Sequence, residues 1–420
     1  MTRLVQRVRQ LAEQSPFYKR LLKRAVQGLQ VEPASQDLAQ VPVTTKEDLR
    51  RGFPRSFLVS PWEDIAAYFE SSGTTNGSIN SSRTMSLKTR KDLARDAERR
   101  LPAHLNAGRG QVAVVNLPYA VTSSAHGFHR ALESAGCVVV AVDQGQQLAS
   151  FTRVGDLLMS LEARILVTAD PFLLRDIYLY DTGTDIFELP NLEYILTVGV
   201  PLSRAAREEV RSRYGKKIMP YYGMSEFGAV GVPDDQGRMY VHEDFFLELR
   251  SPEGMVNAGE LILWDLQSEG APLIRYQTGD VGRVEYITQA DGQTRCVLEV
   301  VGRMKEAIFD GTTYLFPVYF QELLVGIPGI SPIHRVSVEG EERPSITLDL
   351  QVTEPRLAAS AVAEVQRRAA ALTVLPVTIQ THPWGKLFDS TYSQQQFRNV
   401  QTAKTMSFHD KRKGEFLVTY

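Results

Sequence analysis

The sequence predicts an α/β protein with three successive textures. A large region carries a mainly parallel sheet, a stretch of antiparallel strands follows, and a small α+β module closes the chain. Three observations carry this. Between residues 112 and 214, apolar strand-like runs alternate with helical segments, the pattern of βαβ units around a parallel sheet. From about residue 235, short strands bounded by turn residues take over. From Met304, a helical segment between strand-like runs reads as a separate module. At 420 residues the chain is too long for one ordinary core. No internal repeat or low-complexity segment interrupts it.

Taken in order, residues 1–30 read as helices with Leu4, Val8, Leu11, Leu21 and Leu22 as apolar positions. Pro42 to Leu49 reads as a strand end passing into a helix, with Thr44 or Thr45 as cap and acidic residues in the first turn. Ile65 to Phe69 is a short strand, and Leu87 to Leu105 a helix rich in Arg, Lys, Asp and Ala. Then come the strand Val112–Asn116, the helix His129–Ala135, the buried strand Cys137–Val142, the helix Arg153–Leu161, the strands Ile165–Thr168 and Tyr194–Gly199, and the helix Ser203–Tyr214. Ligands of such a sheet bind at the carboxyl ends of its strands. The antiparallel strands are Phe245–Leu249, Glu260–Trp264, Val281–Ile287 and Thr294–Val300. The last module has strands at Arg335–Glu339, Ser345–Val352 and Val377–Gln380 and a helix at Ala358–Leu372.

Composition excludes several classes. Hydrophobic content of 43%, charged content of 23% and a net charge of −2 are those of a soluble globular protein with no polyanion or anionic-membrane partner. Only Lys404 to Lys413 is locally basic. Two cysteines, Cys137 and Cys296, cannot form a Cys-rich zinc site and read as buried free thiols. The N-terminus is a charged amphipathic helix, not a signal peptide, and no apolar run approaches the ~20 residues of a membrane span. A cytoplasmic protein is expected.

Four motifs carry chemistry. Ser71-Ser72-Gly73-Thr74-Thr75-Asn76-Gly77-Ser78 packs five hydroxyls and two glycines into eight residues after a strand. Glycines allow close backbone approach to an anion, and exposed N–H and hydroxyl groups can wrap phosphate oxygens. The same residues also make a polar surface turn. Pro220-Tyr221-Tyr222-Gly223-Met224-Ser225-Glu226 offers a ring to stack on a base, a hydroxyl for phosphate and a carboxylate for Mg²⁺. It also reads as a strand end followed by a helix capped by Ser225. Arg275-Tyr276-Gln277-Thr278-Gly279-Asp280 places an acid in a tight turn, suited either to ribose hydroxyls or to an Asx turn. Gly302-Arg303-Met304-Lys305-Glu306 marks the change of texture.

In this order and spacing the motifs resemble the adenylate-forming superfamily of acyl-CoA synthetases, adenylation domains and luciferases, and most of all its phenylacetate–CoA ligase family. Ser15-Pro16-Phe17-Tyr18, Pro42 to Leu49, Asn116-Leu117-Pro118-Tyr119, His242-Glu243-Asp244-Phe245, Gly311 and Phe316-Pro317 match further segments of that family. The resemblance implies a large domain at 1–303 and a small mobile domain at 304–420. It implies an ATP-dependent, AMP-forming ligase that activates an aryl or aryl-acetic acid as acyl-adenylate and passes it to coenzyme A. Ser71, Ser72, Gly73, Thr74 and Thr75 would hold the β- and γ-phosphates. Tyr222, with Gly223 and Met224, would bind adenine, Ser225 the α-phosphate and Glu226 Mg²⁺. Asp280 and Arg303 would hold ribose, and Lys305 would lie at the hinge. Tyr119, Phe128, Gly199 and Val200 would line the acyl pocket, with His126 or His129 nearby. A C-terminal lysine would bridge the carboxylate and the α-phosphate. Lys404 fits that position better than Lys386, because Asp410-Lys411-Arg412 follows it. The resemblance admits a homodimer.

The sequence departs from the family pattern at three places. The phosphate loop lacks its lysine and reads Asn76-Gly77-Ser78. The strand at Gly199 continues Val200-Pro201, and the hinge pair is Lys305-Glu306. Transfer to a carrier-protein thiol, to nitrogen or to a cofactor hydroxyl is therefore an alternative, as is a degenerate adenylate-binding protein.

Overall fold

The computed structural model describes residues 2–23, 40–71, 83–143, 150–252, 255, 258–288, 292–340, 344–387, 408–410 and 412. Among them one sheet runs through most of the chain. Its parallel part comprises β3 (Val112–Asn116), β4 (Val138–Ala141), β5 (Ile165–Thr168), β6 (Tyr194–Val198) and β7 (Lys217–Met224). Its antiparallel part comprises β8 (Gly228–Pro233), β9 (Met239–Val241), β10 (Phe245–Arg250), β11 (Ala258–Asp265), β12 (Tyr276–Thr288) and β13 (Thr294–Arg303). The order is β10-β11-β12-β13-β9-β8-β7-β6-β5-β3-β4. A separate hairpin pairs β1 (Ile65–Glu70) with β2 (Met85–Thr89). The α/β expectation holds.

Strand β7 joins the two parts. Residues 217–221 pair in parallel with β6, and residues 222–224 pair antiparallel with β8. Side chains alternate across the parallel strands. Val114, Leu166, Ile195 and Ile218 face one core with the helices Phe151–Ser160 (α6), Pro171–Thr182 (α7) and Arg204–Tyr214 (α8). Ala113, Val115, Val167, Leu196 and Met219 face another with the helix Ser123–Ser134 (α5). The N-terminal helices Thr2–Gln14 (α1) and Pro16–Leu21 (α2) cover the antiparallel strands, burying Leu4, Val8 and Leu11 in the core that holds Trp264. Thr45 caps the helix Lys46–Gly52 (α3) in a reciprocal box with Asp48.

After Arg303 the chain forms the hairpin β14 (Ile308–Phe309) and β15 (Tyr314–Leu315), the helix Pro317–Leu324 (α9), and strands β16 (Ile330–Glu339), β17 (Ser345–Val352), β18 (Val377–Pro383) and β19 (Phe408–Asp410). The last four make a sheet of order β18-β17-β16-β19, packed by the helix Ala358–Leu372 (α10). Among the described residues no helix is long and apolar enough to cross a membrane.

Several expectations need correction. The helix expected from Leu87 begins at Arg90, because residues 85–89 pair with β1 and Thr89 caps the helix Arg90–Arg100 (α4). Strand β4 is a sheet edge, so Val138 is 54% exposed rather than buried. Both cysteines are free, but Cys296 is only half-buried. Ser225 caps no helix, because β7 turns directly into β8.

Helix α4 fastens this turn. Asp96 accepts Arg100 Nε at 2.9 Å and the Ala229 N–H at 2.7 Å, and pairs with Arg99 at 3.6 Å. Arg100 is 1% exposed and lies 4.6 Å over the Phe128 ring. Burial works to raise the Asp96 carboxyl, but Arg100, Arg99 and the Ala229 N–H outweigh it and hold it below its usual range. A depressed carboxyl stabilises above its unfolded titration point and loses that contribution as pH falls through the lowered value. Asp96→Ala is therefore expected to cost about 3–5 kcal/mol, because it leaves a buried guanidinium uncompensated. Urea unfolding of both proteins measures this, and a loss below about 1 kcal/mol would show that Arg100 finds another partner.

Candidate active site

The chemistry-bearing motifs converge where β7, β12, β13 and the β1–β2 hairpin meet. Tyr222 lies on β7 and Glu226 in the turn after it. Tyr276 opens β12 and Asp280 lies farther along it. The two tyrosines serve each other's acids. Tyr222 donates its hydroxyl to Asp280 Oδ2 at 2.9 Å, and Tyr276 donates its own to Glu226 Oε1 at 2.8 Å. Burial and the adjacent carboxylates push both phenols well above their usual range, so both stay protonated donors.

Glu226 is 4% exposed. Its Oε1 also accepts the Thr84 hydroxyl at 2.7 Å, and its backbone carbonyl accepts the buried Lys88 ammonium at 2.6 Å. Ser225 donates its hydroxyl to the Glu70 carbonyl at 2.9 Å, and its carbonyl accepts Ser86 Oγ at 2.6 Å. Thus the β1–β2 hairpin is tied to the turn by Glu70, Thr84, Ser86 and Lys88. Just beyond the last strand pair, Glu70 opposite Met85, Ser71 N donates to the Thr84 carbonyl and Thr84 N to Ser71 Oγ, both at 2.8 Å. Ser72, Gly73, Thr74 and Thr75 lie outside the described residues. Gly223 is required by its neighbour, since a Cβ there would stand 2.6 Å from the Gly228 carbonyl oxygen.

Asp280 pairs across the ladder with Arg303, whose Nε donates to Asp280 Oδ1 at 3.3 Å. Burial opposes the Arg303 charge, but Asp280 and Glu306 outweigh it and push its titration up. Lys305 follows in a short 3-10 turn. Burial and the Arg303 charge bring it down to about 8. Burial raises Glu306, with Arg303 and Lys305 opposing. Gly279 is held at φ +80°, a conformation that favours glycine, and Lys46 Nζ lies 3.6 Å from where a Cβ would be. Arg303 is thus paired directly with Asp280, while Lys46 lies against Gly279, and Lys305 feels the charges of both Lys46 and Asp280.

The acyl-pocket candidates divide. Tyr119 follows β3, its N–H held by Asp143 at 2.8 Å and its hydroxyl 3.0 Å from His129 Nδ1. Its ring meets His126 edge-on at 5.3 Å, and Phe69 lies 6.0 Å beyond. Phe128 is fully buried between Tyr221 and Arg100, a core position rather than a pocket wall. Gly199 is exposed at φ +94°. Val200 lines an open cleft with Pro201, Gly302, Glu306 and His334. Lys404 lies outside the described residues, and Lys386 is exposed beside Gly385, which packs on Tyr180 of α7.

Thr84, Lys88 and Tyr276 hold the site but were not singled out as site residues. Tyr276 stands within a recognised motif. Thr84 and Lys88 carry no local signal, because their partner lies 142 and 138 residues away.

No family model matches the chain. Among curated proteins, the phenylacetate-coenzyme A ligase of Thermus thermophilus is 29% identical over 374 residues, 84% of this chain and 80% of that one. That of Aromatoleum evansii is 27% identical over 81% of this chain and 77% of its own. Among solved structures, 2-hydroxyisobutyryl-CoA ligase in the postadenylation state with 2-HIB-AMP matches with a TM-score of 0.78 at 18% identity, over 98% of this chain and 89% of that one. The same enzyme in the thioesterification state, with CoA also bound, scores 0.59 over 97% and 88%. The fold is that of adenylate-forming CoA ligases, and the resemblance to phenylacetate–CoA ligases holds over most of the chain.

Tyr276→Phe removes one of two hydroxyl donors from a buried carboxylate. It is expected to cost about 1–3 kcal/mol of stability, read as a lowered urea midpoint. A midpoint within error of the parent would mean that Glu226 is satisfied without Tyr276.

Proposed function

We propose that this relative of the phenylacetate–coenzyme A ligases is an ATP-dependent, AMP-forming acid–thiol ligase acting on an aromatic carboxylic acid. The observation that carries the reading is the reciprocal pair of acids, Asp280 with Arg303 and Tyr222, and Glu226 with Thr84 and Tyr276, on a chain related to those ligases over most of its length.

In the first step a carboxylate oxygen of the acid attacks the α-phosphorus of ATP, and the bond to the bridging oxygen breaks to release pyrophosphate. In the second, a thiol sulfur attacks the acyl carbon, AMP leaves, and the thiol proton is lost. Both steps depend on positioning and on neutralising charge. Asp280 is fixed from two sides, by Tyr222 and Arg303, and is thereby oriented to accept the ribose hydroxyls. Tyr222 spends its hydroxyl on Asp280, so only its ring is offered to adenine. Ser225 has a single hydroxyl proton, already given to the Glu70 carbonyl. Its contact to the α-phosphate needs either a rotated hydroxyl or its backbone N–H. Ser71 to Thr75 would hold the β- and γ-phosphates, with Lys46 and Lys305 adding positive charge near Asp280.

Mg²⁺ fits the donor set present, a carboxylate among hydroxyl oxygens that nucleotide phosphates would complete. Glu226 would hold it beside Thr84, where it would supply charge neutralisation on the phosphates. Tyr119, with His126 and Phe69, forms the aromatic wall proposed for the acyl group, and Val200 borders the adjoining cleft. We assign 1–303 and 304–420 to a large and a small mobile domain, Lys305 to their hinge, and the bridging lysine to Lys404. Coenzyme A is the proposed acceptor and the cytoplasm the proposed setting.

Two measurements test this. Phenylacetate and related aryl acids are expected to drive ATP–pyrophosphate exchange with Mg²⁺ and no thiol, and coenzyme A to convert the product to a thioester. Silence across an acid panel, with ATP still bound, would overturn the reading. Separate substitutions then test the lysines: Lys404→Ala should lower exchange by roughly 100-fold or more, whereas Lys386→Ala should leave it near the parent rate. The reverse result would move the bridging role to Lys386.

A further inference from the structure

The chain after Arg303 is seated on α7 and α8. Part of the seat is apolar. Ile333 of β16 lies within the core built by α6, α7 and α8. Trp384 meets Tyr180 edge-on at 5.3 Å, and Gly385, at φ +92°, allows that approach, since a Cβ there would stand 2.6 Å from the Tyr180 ring. The rest is polar. Gln321 Oε1 accepts the Ser203 N–H at 2.8 Å, and Glu209 accepts the Gly326 N–H at 3.1 Å.

One contact differs in kind. Ser331 Oγ donates to Asp176 Oδ2 at 2.5 Å while accepting the Ile333 N–H at 3.0 Å. The hydroxyl proton is thus aimed by its own strand at an acid on α7. Asp176 is 1% exposed, and its other oxygen rests on Arg175 at 3.0 Å. Arg175 is shared with Asp185 and with the Tyr214 hydroxyl. A carboxylate so deeply buried needs each of its partners, and Ser331 is the one supplied from beyond the hinge. Were the small domain to leave, water could take the place of Ser331 at modest net cost.

We propose that the Asp176–Ser331 hydrogen bond, seated beside Ile333, is a positioning pin that holds the small domain for adenylate formation, and that its strength sets how the enzyme divides between its two half-reactions. The proposal rests on the ligase reading above. It is supported by the closer match to the postadenylation than to the thioesterification arrangement of one solved ligase.

Ser331→Ala in the full chain tests it. Losing one hydrogen bond to a buried charge shifts the docked equilibrium roughly tenfold. Phenylacetate-dependent ATP–pyrophosphate exchange should fall by about that factor. Thioester formation from supplied phenylacetyl-adenylate and coenzyme A should be unchanged or faster. Asp176→Asn, which keeps the shape and removes the charge, should behave the same way. Parallel loss of both half-reactions would make the contact merely structural and overturn the proposal, as would no change in either. Amide hydrogen exchange gives a readout independent of activity. Residues 171–182 and 330–336 should exchange faster in Ser331→Ala while β17 stays protected, and unchanged exchange overturns the pin. If the parent protein adenylates no acid, the ligase reading fails, and the exchange of these segments still decides whether the pin exists.

Discussion

The site depends on one exchange. Tyr222 and Glu226 stand four residues apart, as do Tyr276 and Asp280, and each tyrosine reaches the other segment's acid. Neither acid is held by its own segment. The β7 turn and β12 therefore fix each other, and neither can shift without stripping a hydrogen bond from a buried carboxylate. Around this exchange the remaining contacts fall into place. Thr84 and Lys88 bring the β1–β2 hairpin to Glu226, while Arg303, directly across the ladder from Asp280, brings the end of β13. The hydrogen bonds that hold these two acids are also those that join the parts of the fold.

Charge is distributed with the same economy. The Glu226 side chain accepts from two neutral hydroxyls, those of Thr84 and Tyr276, and has no charged side chain hydrogen-bonded to it among the described residues. Asp280, by contrast, is met by the Arg303 guanidinium, with Lys46 against the neighbouring Gly279, so positive charge collects on this side of the site.

Much of this was legible in the sequence because the decisive residues are clustered. Tyr222 to Glu226 and Tyr276 to Asp280 each fall in one short window, and the alternating buried strands announce the parallel sheet. What stayed hidden is what depends on distance. Lys88 reads as part of a helix because Arg90, Lys91 and Asp92 follow it; only pairing with β1 makes it a strand residue. Thr89-x-x-Asp92 was an available capping signal for the true helix start. Helix α7 does carry local signals, Asp170-Pro171 at its start and Gly183 at its end. The sequence neighbours of Phe128 point toward a pocket, whereas the helix turns its ring inward against Arg100. Ser331 and Asp176, 155 residues apart, carry no local sign of each other.

Strand β7 keeps two partners, parallel to one side at Tyr221 and antiparallel to the other at Tyr222. Its consecutive tyrosines face opposite cores, Tyr221 toward Phe128 and Tyr222 toward Asp280. Adding or removing one residue at this seam would exchange the two faces of everything downstream on the strand. The count of residues at the seam therefore carries the phase of both halves of the sheet, whereas a surface loop carries only its own length.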